Sequence, residues 1–224
     1  MASEPERQAI RKALQPIPQP IIVELGAETG QDTFTFEEVL GRPFRHIMVE
    51  PDPRNAQFIL DHAGQAAHGR PPRPLGLMRR LLLGAVSDRF GFAPFHFSEN
   101  SENGNHASGS LLEPTGHLQA FPEISFPHIG MVQTWTLDEL FELERLDHID
   151  LLWTDLQGSE AAMVRGGETA LSHTRYLFLE VEGVELYKGE DLRDDLIAML
   201  PGWELSGDFG CNVLMHNLHF KASV

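Results

Sequence analysis

Short apolar runs that recur between helical patterns constrain this chain most. Strand-like runs occupy 21–25, 46–50, 81–86, 151–155 and 176–181, with helical patterns between several of them at 31–40, 53–63, 136–145 and 160–172. Strands that are apolar throughout are buried on both faces, and strands alternating with helices build βαβ units, a parallel sheet and right-handed crossovers. The expected class is therefore α/β. Toward the C-terminus a helix over 190–200 is followed by PGWELSG and CNVLMHN, close enough to pair as an antiparallel hairpin at the end of the sheet. At the other end, an amphipathic helix over 4–15 is stopped by prolines at 16, 18 and 20. Residues 1–19 thus read as an N-terminal helix with a proline-rich lead-in, and 20–218 as one domain. A chain of 224 residues supports one substantial core.

Charge narrows the partners. Thirty-three acidic against 17 basic residues give a formal net charge of −16, which repels a polyanion at long range. The best basic stretch, RPPRPLGLMRR at 70–80, is broken by proline and lacks interleaved aromatics, so it reads as a surface loop entering a strand and no nucleic-acid partner is expected. The start, MASEPERQAIRK, lacks the apolar core of a signal peptide, and no apolar run is long enough to span a bilayer. These features lead to the expectation of a cytoplasmic protein. Cys211 is the single cysteine, which excludes an internal disulfide and a thiolate cluster within the chain, and it reads as a small buried residue. The 11 histidines are scattered, without an HxxxH or HxH pair. They read as surface or satisfied core groups.

The chemistry concentrates at strand ends. IDLLWTDLQGSE, residues 149–160, closes an apolar run on Asp155, turns at Gly158 and enters an acidic, Ala-rich helix, which is how a parallel strand delivers a side chain to the ligand-binding edge of an α/β sheet. An acid in that place also caps helices, so both roles stand open for Asp155. IIVELGAETG sets Glu24 at a strand end, with Gly26 and Gly30 around a tight turn into a helix, where glycine lets backbone approach a ligand closely. The following strand, HIMVE, ends on Glu50 about twenty residues on, placed to accept the hydroxyl hydrogens of a cofactor ribose. A nicotinamide dinucleotide and S-adenosylmethionine both fit this layout. The dinucleotide fingerprint wants GxGxxG, which is missing, and carboxylates at Glu24 and Glu28 repel a pyrophosphate but attract the ammonium of a methionine moiety. S-adenosylmethionine is favoured.

Glu180 ends the next strand at YLFLE, so it converges on the same rim as Asp155. A divalent ion held by Asp155 and Glu180 is chemically open, but no ligand spacing asks for one, and no metal is expected. The segment SENSENGNHASGS, 98–110, offers almost nothing to bury and is either a disordered tip or a loop that orders over a ligand. It carries His106, a further acid–base candidate.

Taken in order, VELGAETG, MVEPDP, LGAVSD, SGSLLEP, TWTLDEL, IDLLWTDLQGSEAAMVRGGE and LFLEVE resemble the FkbM family of S-adenosylmethionine-dependent methyltransferases over about residues 20–216. The resemblance implies a Rossmann-like methyltransferase fold, with a mostly parallel seven-stranded sheet, helices on both faces and the C-terminal hairpin. It also implies O-methylation of a hydroxyl on a sugar, polyketide or other small metabolite or glycan. By residue it puts Glu24, Gly26, Ala27 and Gly30 on the cofactor turn, Glu50 and Pro51 at the ribose, Ala85, Val86 and Ser87 beside adenine, and Asp155 on the strand-end acid; beside it, the reading of the residues makes Asp155, Glu180 and His106 the catalytic candidates. The chain departs from the family at Glu28, where Asn is common, and at Gln157, where Glu is common. If Gln157 replaces a working carboxylate, catalysis falls to Asp155, Glu160 or another group. Two rivals stay open, a nicotinamide-dependent oxidoreductase and a non-catalytic relative that keeps the fold for binding. The oligomeric state is open, a homo-oligomer included.

Overall fold

The computed structural model describes residues 2–62, 76 and 78–220. In chain order the elements are α1 (Glu4–Leu14), β1 (Ile21–Leu25), α2 (Asp32–Leu40), β2 (Arg45–Glu50), α3 (Pro53–His62), β3 (Arg79–Leu83), β4 (Ala85–Val86), β5 (Gly91–Asn100) and α4 (His117–Ala120). They continue with β6 (Ile124–Trp135), α5 (Leu137–Leu143), β7 (Ile149–Thr154), α6 (Glu160–Arg165), α7 (Glu168–Ser172), β8 (Thr174–Glu180), α8 (Arg193–Ala198), β9 (Trp203–Asp208) and β10 (Asn212–Asn217).

Seven strands form one sheet in the order β3-β2-β1-β7-β8-β10-β9. The first five run parallel, and β10 enters antiparallel between β8 and β9. All six residues of β7 are buried, because helices cover both faces. On one face Val23, Leu25, Leu152 and Leu179 pack under Leu137 and Leu140 of α5, Met163 of α6, Leu171 of α7 and Leu196 of α8. On the other, Ile22, Leu151 and Phe178 meet Phe36 and Val39 of α2 together with Ile10 and Leu14 of α1. The N-terminal helix is thus part of the domain's core. Its start is fixed by a capping box, in which Ser3 and Glu6 satisfy each other's backbone donors.

Four differences from the sequence reading have local causes. The run at 81–86 is not one strand, because Gly84 (φ 146°) turns the chain out of the main sheet and delivers Ala85–Val86 to a second, three-stranded sheet ordered β4-β6-β5. A Cβ at Gly84 would lie 2.7 Å from the Trp135 indole nitrogen, so the turn needs glycine. The strand β6 has no counterpart in the sequence reading, since ISFPHIGMVQTW is half exposed, lacks a clean alternation and is defined by pairing with β5. The helix expected over 160–172 breaks into α6 and α7 at Gly166 and Gly167, which lie against Ser87–Asp88 and Leu137 with no space for side chains. Cys211, expected to be buried, is exposed, because it lies in the tight turn between β9 and β10 and not within a strand.

Of the basic stretch, Arg79 and Arg80 lie within β3 and not in the loop before it, while 70–75 and 77 lie outside the described residues. Among the described residues, no helix is long and apolar enough to cross a membrane.

Candidate active site

In an open α/β sheet, ligands bind outside the carboxyl ends of the strands where the strand order reverses. Here that point lies between β1 and β7, since β1 pairs with β2 on one side and β7 on the other. A cleft of about 590 Å³ opens there. Gly26 and Glu28 form its floor, Glu50, Pro51 and Asn55 one side, Ala85 and Val86 the far end, and Asp155, Leu156, Gln157 and Ser159 the other side. His106, Ala107, Gly109 and Leu111 close it from above.

The floor is a backbone construction. Gly26 (φ 82°) donates its N–H to the Val49 carbonyl at 2.9 Å, and Ala27 does the same at 3.1 Å, so the turn after β1 is tied to β2. A Cβ on Gly26 would sit 1.8 Å from the Asp155 carbonyl oxygen, which shows how closely the turns after β1 and β7 approach. Glu28 occupies the left-handed region (φ 47°), where Asn is among the more tolerant residues and Glu carries strain. Its N–H donates to Glu50 Oε2 at 2.8 Å.

Glu50 is the best-defined polar group of the cleft. It is buried, Oε2 accepts from the Glu28 N–H and Oε1 accepts from the Asp52 N–H at 2.8 Å, with the Asn55 amide at 3.4 Å. Burial pushes its carboxyl up to about 8, against the backbone hydrogen bonds that pull it down. The carboxylate oxygens can accept further hydrogen bonds, so the group is braced from behind and able to take donors from the cleft.

Other expected positions are arranged differently. Glu24 does not line the cleft. Its carboxyl lies on the α1/α2 face of the sheet, 2.7 Å from His46 Nε2, both side chains about 1% exposed. Burial raises Glu24 well above the carboxylate range and lowers His46 to about 3, so burial disfavours the charged form of both. Gly30 (φ 77°) shapes the turn into α2 without reaching the cleft, and Ala27 packs with Met48 and Ile59 below it. Ser87 also stays outside the cleft lining, its N–H donating to the Trp135 carbonyl at 2.8 Å.

The acidic rim follows from parallel neighbours ending together. Asp155 N–H donates to the Leu25 carbonyl at 3.0 Å, fixing the residue to β1. Glu180, on β8, lies in a second cavity of about 480 Å³ on the far side of Asp155, walled by Glu6, Asp32, Trp153 and Asn212. Burial first, and then the charge of Asp155, raise Glu180 well above its ordinary range. Burial likewise pushes Glu160 up to about 8, its carboxyl accepting the Leu156 N–H at 2.7 Å. Gln157 and Tyr187 complete the rim. Gln157 donates to Asp155 Oδ1 at 2.6 Å and Glu180 Oε2 at 3.3 Å, and accepts the Tyr187 hydroxyl at 2.7 Å. The sequence reading named Gln157 only as a departure and did not name Tyr187, whose hydroxyl arrives from the loop after β8. Among the described residues, no group of three or more His, Cys, Asp or Glu side chains is arranged to hold a metal ion.

The polar segment 98–110 is neither a free tip nor an unformed cover. Hydrogen bonds hold it where apolar packing is lacking. Ser98 Oγ accepts the Ser108 N–H at 3.0 Å, and His96 and Ser110 exchange two backbone bonds at 2.8 and 3.2 Å. Ser110 Oγ donates to the Gln157 carbonyl at 2.7 Å. His106 lines the cleft with Nδ1 3.1 Å from the Ser98 carbonyl, leaving Nε2 for a ligand. Residues 101–104 are exposed. Limited proteolysis of the free protein is accordingly expected to cut at 101–104 and to spare 106–111, because cleavage needs locally opened, exposed backbone. Mass mapping of the first fragments checks this, and early cuts within 106–111 would contradict it.

The family model for the methyltransferase FkbM domain matches residues 24–209. The 2-O-methyltransferase NoeI of Sinorhizobium fredii is 33% identical over 195 residues, covering 86% of this chain and 75% of that protein. Among solved structures, the methyltransferase FkbM from Methylobacillus flagellatus superposes with a TM-score of 0.54 at 14% identity, over 89% of this chain. It covers 44% of that protein, so the present chain spans less than half of the crystallised molecule. The seven-stranded order with its antiparallel hairpin agrees with that fold, and the chain belongs to the FkbM methyltransferase family.

Proposed function

We propose that this chain methylates a hydroxyl group of a sugar, polyketide or other small metabolite or glycan, using S-adenosylmethionine. The observation that carries the reading is Glu50, buried, braced by two backbone N–H groups and facing a cleft of cofactor size at the point where strand order reverses. The cleft suits the cofactor in a second respect. Ser159 lines it, and its buried hydroxyl has no partner among the described residues, a polar group still unsatisfied beside the cleft. When bound, S-adenosylmethionine supplies a methyl group on a positively charged sulfur.

The chain's own residues do the rest. Glu50 accepts the ribose hydroxyls, while Ala85 and Val86 give the adenine an apolar wall. Glu28 and Asp155 make the middle of the cleft acidic, which favours the sulfonium and ammonium and opposes a pyrophosphate. Asp155 takes the proton of the acceptor hydroxyl, because an alcohol is a poor nucleophile until that proton leaves. The 2-O-methyltransferase activity in the name of the NoeI relative supports an oxygen acceptor. A nicotinamide-dependent oxidoreductase is disfavoured by the acidic turn and the missing GxG.

The test is ligand discrimination followed by turnover. S-adenosylhomocysteine is expected to raise the melting temperature and NAD to leave it unchanged, with labelled methyl transfer then scored on a panel of methyl glycosides and hydroxylated metabolites. The reverse melting pattern overturns the reading, and cofactor binding without transfer to any acceptor supports a non-catalytic relative.

Glu50 makes the cofactor part quantitative. Glu50→Gln is expected to weaken S-adenosylhomocysteine binding about tenfold or more, the scale of about 1.5–3 kcal/mol for a hydrogen bond to a charged group. Hydroxyl donors favour the ionised carboxylate, so binding lowers the Glu50 pKa from about 8 and releases a proton near neutral pH. Affinity should rise with pH toward about 8 and then level off. Calorimetry in buffers of different ionisation enthalpy measures both effects, and an unchanged affinity in folded Glu50→Gln removes the assignment.

A further inference from the structure

We propose that Gln157 is a positioning residue whose side-chain amide, braced by the Tyr187 hydroxyl, holds the Asp155 carboxylate toward the cleft and couples it to the loop that closes it. The inference deepens the methyl-transfer reading above and rests on it for its functional meaning, but its geometry stands separately.

The backbone provides the first observation. Gln157 lies in the left-handed region (φ 51°), a conformation strained for a residue that is not glycine. Such residues persist only where the surroundings hold them, and they cluster at functional sites. Two neighbours hold this one. Its carbonyl accepts the Ser110 hydroxyl at 2.7 Å, and Gly158 (φ 91°) fits where any Cβ would lie 2.9 Å from Glu190 Oε2 and 3.1 Å from Tyr187 Cβ.

The side chain provides the second. A primary amide has two N–H donors and one carbonyl acceptor, and all are engaged. Nε2 lies 2.6 Å from Asp155 Oδ1 and 3.3 Å from Glu180 Oε2, while Oε1 accepts the Tyr187 hydroxyl at 2.7 Å. Turning the amide over would set its carbonyl against the Asp155 carboxylate, so only one orientation is stable. Tyr187 is itself fixed. Its ring is buried, its N–H and that of Leu186 both donate to Glu190, and its hydroxyl also lies 2.9 Å from the Ser108 carbonyl. Burial and the charges of Asp155 and Glu180 keep that hydroxyl protonated and therefore a donor.

The consequence is electrostatic. Asp155 is faced by Glu180 from β8, Glu160 from α6, Glu28 and Asp32 from the segment after β1, Glu24 from β1, and Glu182 and Tyr187 from the chain after β8. A glutamate at 157 would add another negative charge to this set and remove its donor. The neutral amide adds no charge to this set and donates to both Asp155 and Glu180. The Gln157 amide takes one Asp155 oxygen and so fixes how the carboxyl is turned. Because Ser110 bonds the Gln157 carbonyl and the Tyr187 hydroxyl lies against both the Gln157 amide and the Ser108 carbonyl, the closing loop and the acid are tied together.

The test uses full-length protein and does not need the acceptor. Carboxyl-carbon NMR of protein labelled in aspartate and glutamate, with Asp155→Asn and Glu180→Gln as assignment controls, follows the titration of the Asp155–Glu180 pair. Q157M keeps the bulk and removes the donors, and Q157E keeps the shape and reverses the electrostatics. Both are expected to raise the pair's apparent midpoint by about one pH unit, a tenfold change in proton affinity, with Q157E shifting more. Y187F should give a smaller shift in the same direction. Unchanged midpoints in Q157M and Q157E, with only a lower melting temperature, overturn the proposal by making Gln157 a packing residue. Calorimetry with S-adenosylhomocysteine on the wild type is run beside it. Loss of binding there defeats the methyl-transfer reading, while the titration still decides whether Gln157 positions the acid.

Discussion

Asp155→Asn is expected to keep the fold and most of the cofactor affinity while turnover falls about 10²- to 10⁴-fold, the usual scale of general acid–base catalysis. The substitution preserves shape and the Asp155 N–H bond to Leu25, so the junction of β1 and β7 is not disturbed. The Asn side chain still offers an oxygen to Gln157 Nε2. What disappears is the negative charge, and with it the capacity to take the acceptor's proton. Glu180 does not replace it. Burial is the larger cause that raises its pKa, with the Asp155 charge second, so losing that charge leaves the main obstacle to ionising Glu180 in place. A residue that merely caps the following helix behaves in the opposite way, losing melting temperature and keeping turnover. Measuring both on one preparation separates the roles, and near-wild-type turnover moves the base to Glu180 or His106 or removes it from the mechanism.

Gly26→Ala is expected to have the largest structural effect of any single methyl group added near the cleft. Its Cβ would lie 1.8 Å from the Asp155 carbonyl oxygen, a backbone atom that cannot swing away as a side chain could. The positive φ of 82° adds the left-handed strain of about 1–2 kcal/mol, and forced displacement in a packed region about 1–3 kcal/mol more. Together this is on the order of 3 kcal/mol, a large share of the roughly 5–15 kcal/mol that holds a domain together. At about 2–4 °C per kcal/mol for a domain of this size, the melting temperature should fall by about 10 °C. Cofactor affinity should fall further than stability predicts, since relief of the clash pushes apart the turns that carry Glu28 and Asp155. Gly41→Ala is the control, with φ 61° but open space around its Cβ, so it should show the strain alone. Equal losses for the two variants would mean that the approach of the two turns is not tight.

The two experiments probe different parts of what the sequence made legible. The parallel strands were readable because burial on both faces demands unbroken apolar runs, and the strands ending on Glu50 and at Asp155 stand where those runs stop. Gly26 was readable because few residues but glycine reverse a chain that sharply. Glu24 was misplaced in role for the same reason that it was noticed. A polar residue in a strand is conspicuous, but which face it occupies depends on register, and its partner, His46, comes from the neighbouring strand.

The second sheet and the loop over the cleft were not readable. Strand β6 owes its existence to pairing with β5, a contact between distant segments that leaves no periodic mark of its own. The segment 98–110 contains almost nothing apolar to predict order, yet serine and asparagine side chains replace packing with hydrogen bonds to backbone groups brought near by the fold.

By itself, then, the sequence determined the α/β class, the parallel strands of the main sheet, the glycine turn and the carboxylates that end the strands, because local burial and backbone sterics write those into composition and spacing. Only the tertiary structure decided which carboxylates face the cleft and which are sealed away. Hydrogen bonds such as Tyr187 to Gln157 join groups that are far apart along the chain, and burial sets their protonation, so neither can be written in any local stretch of residues.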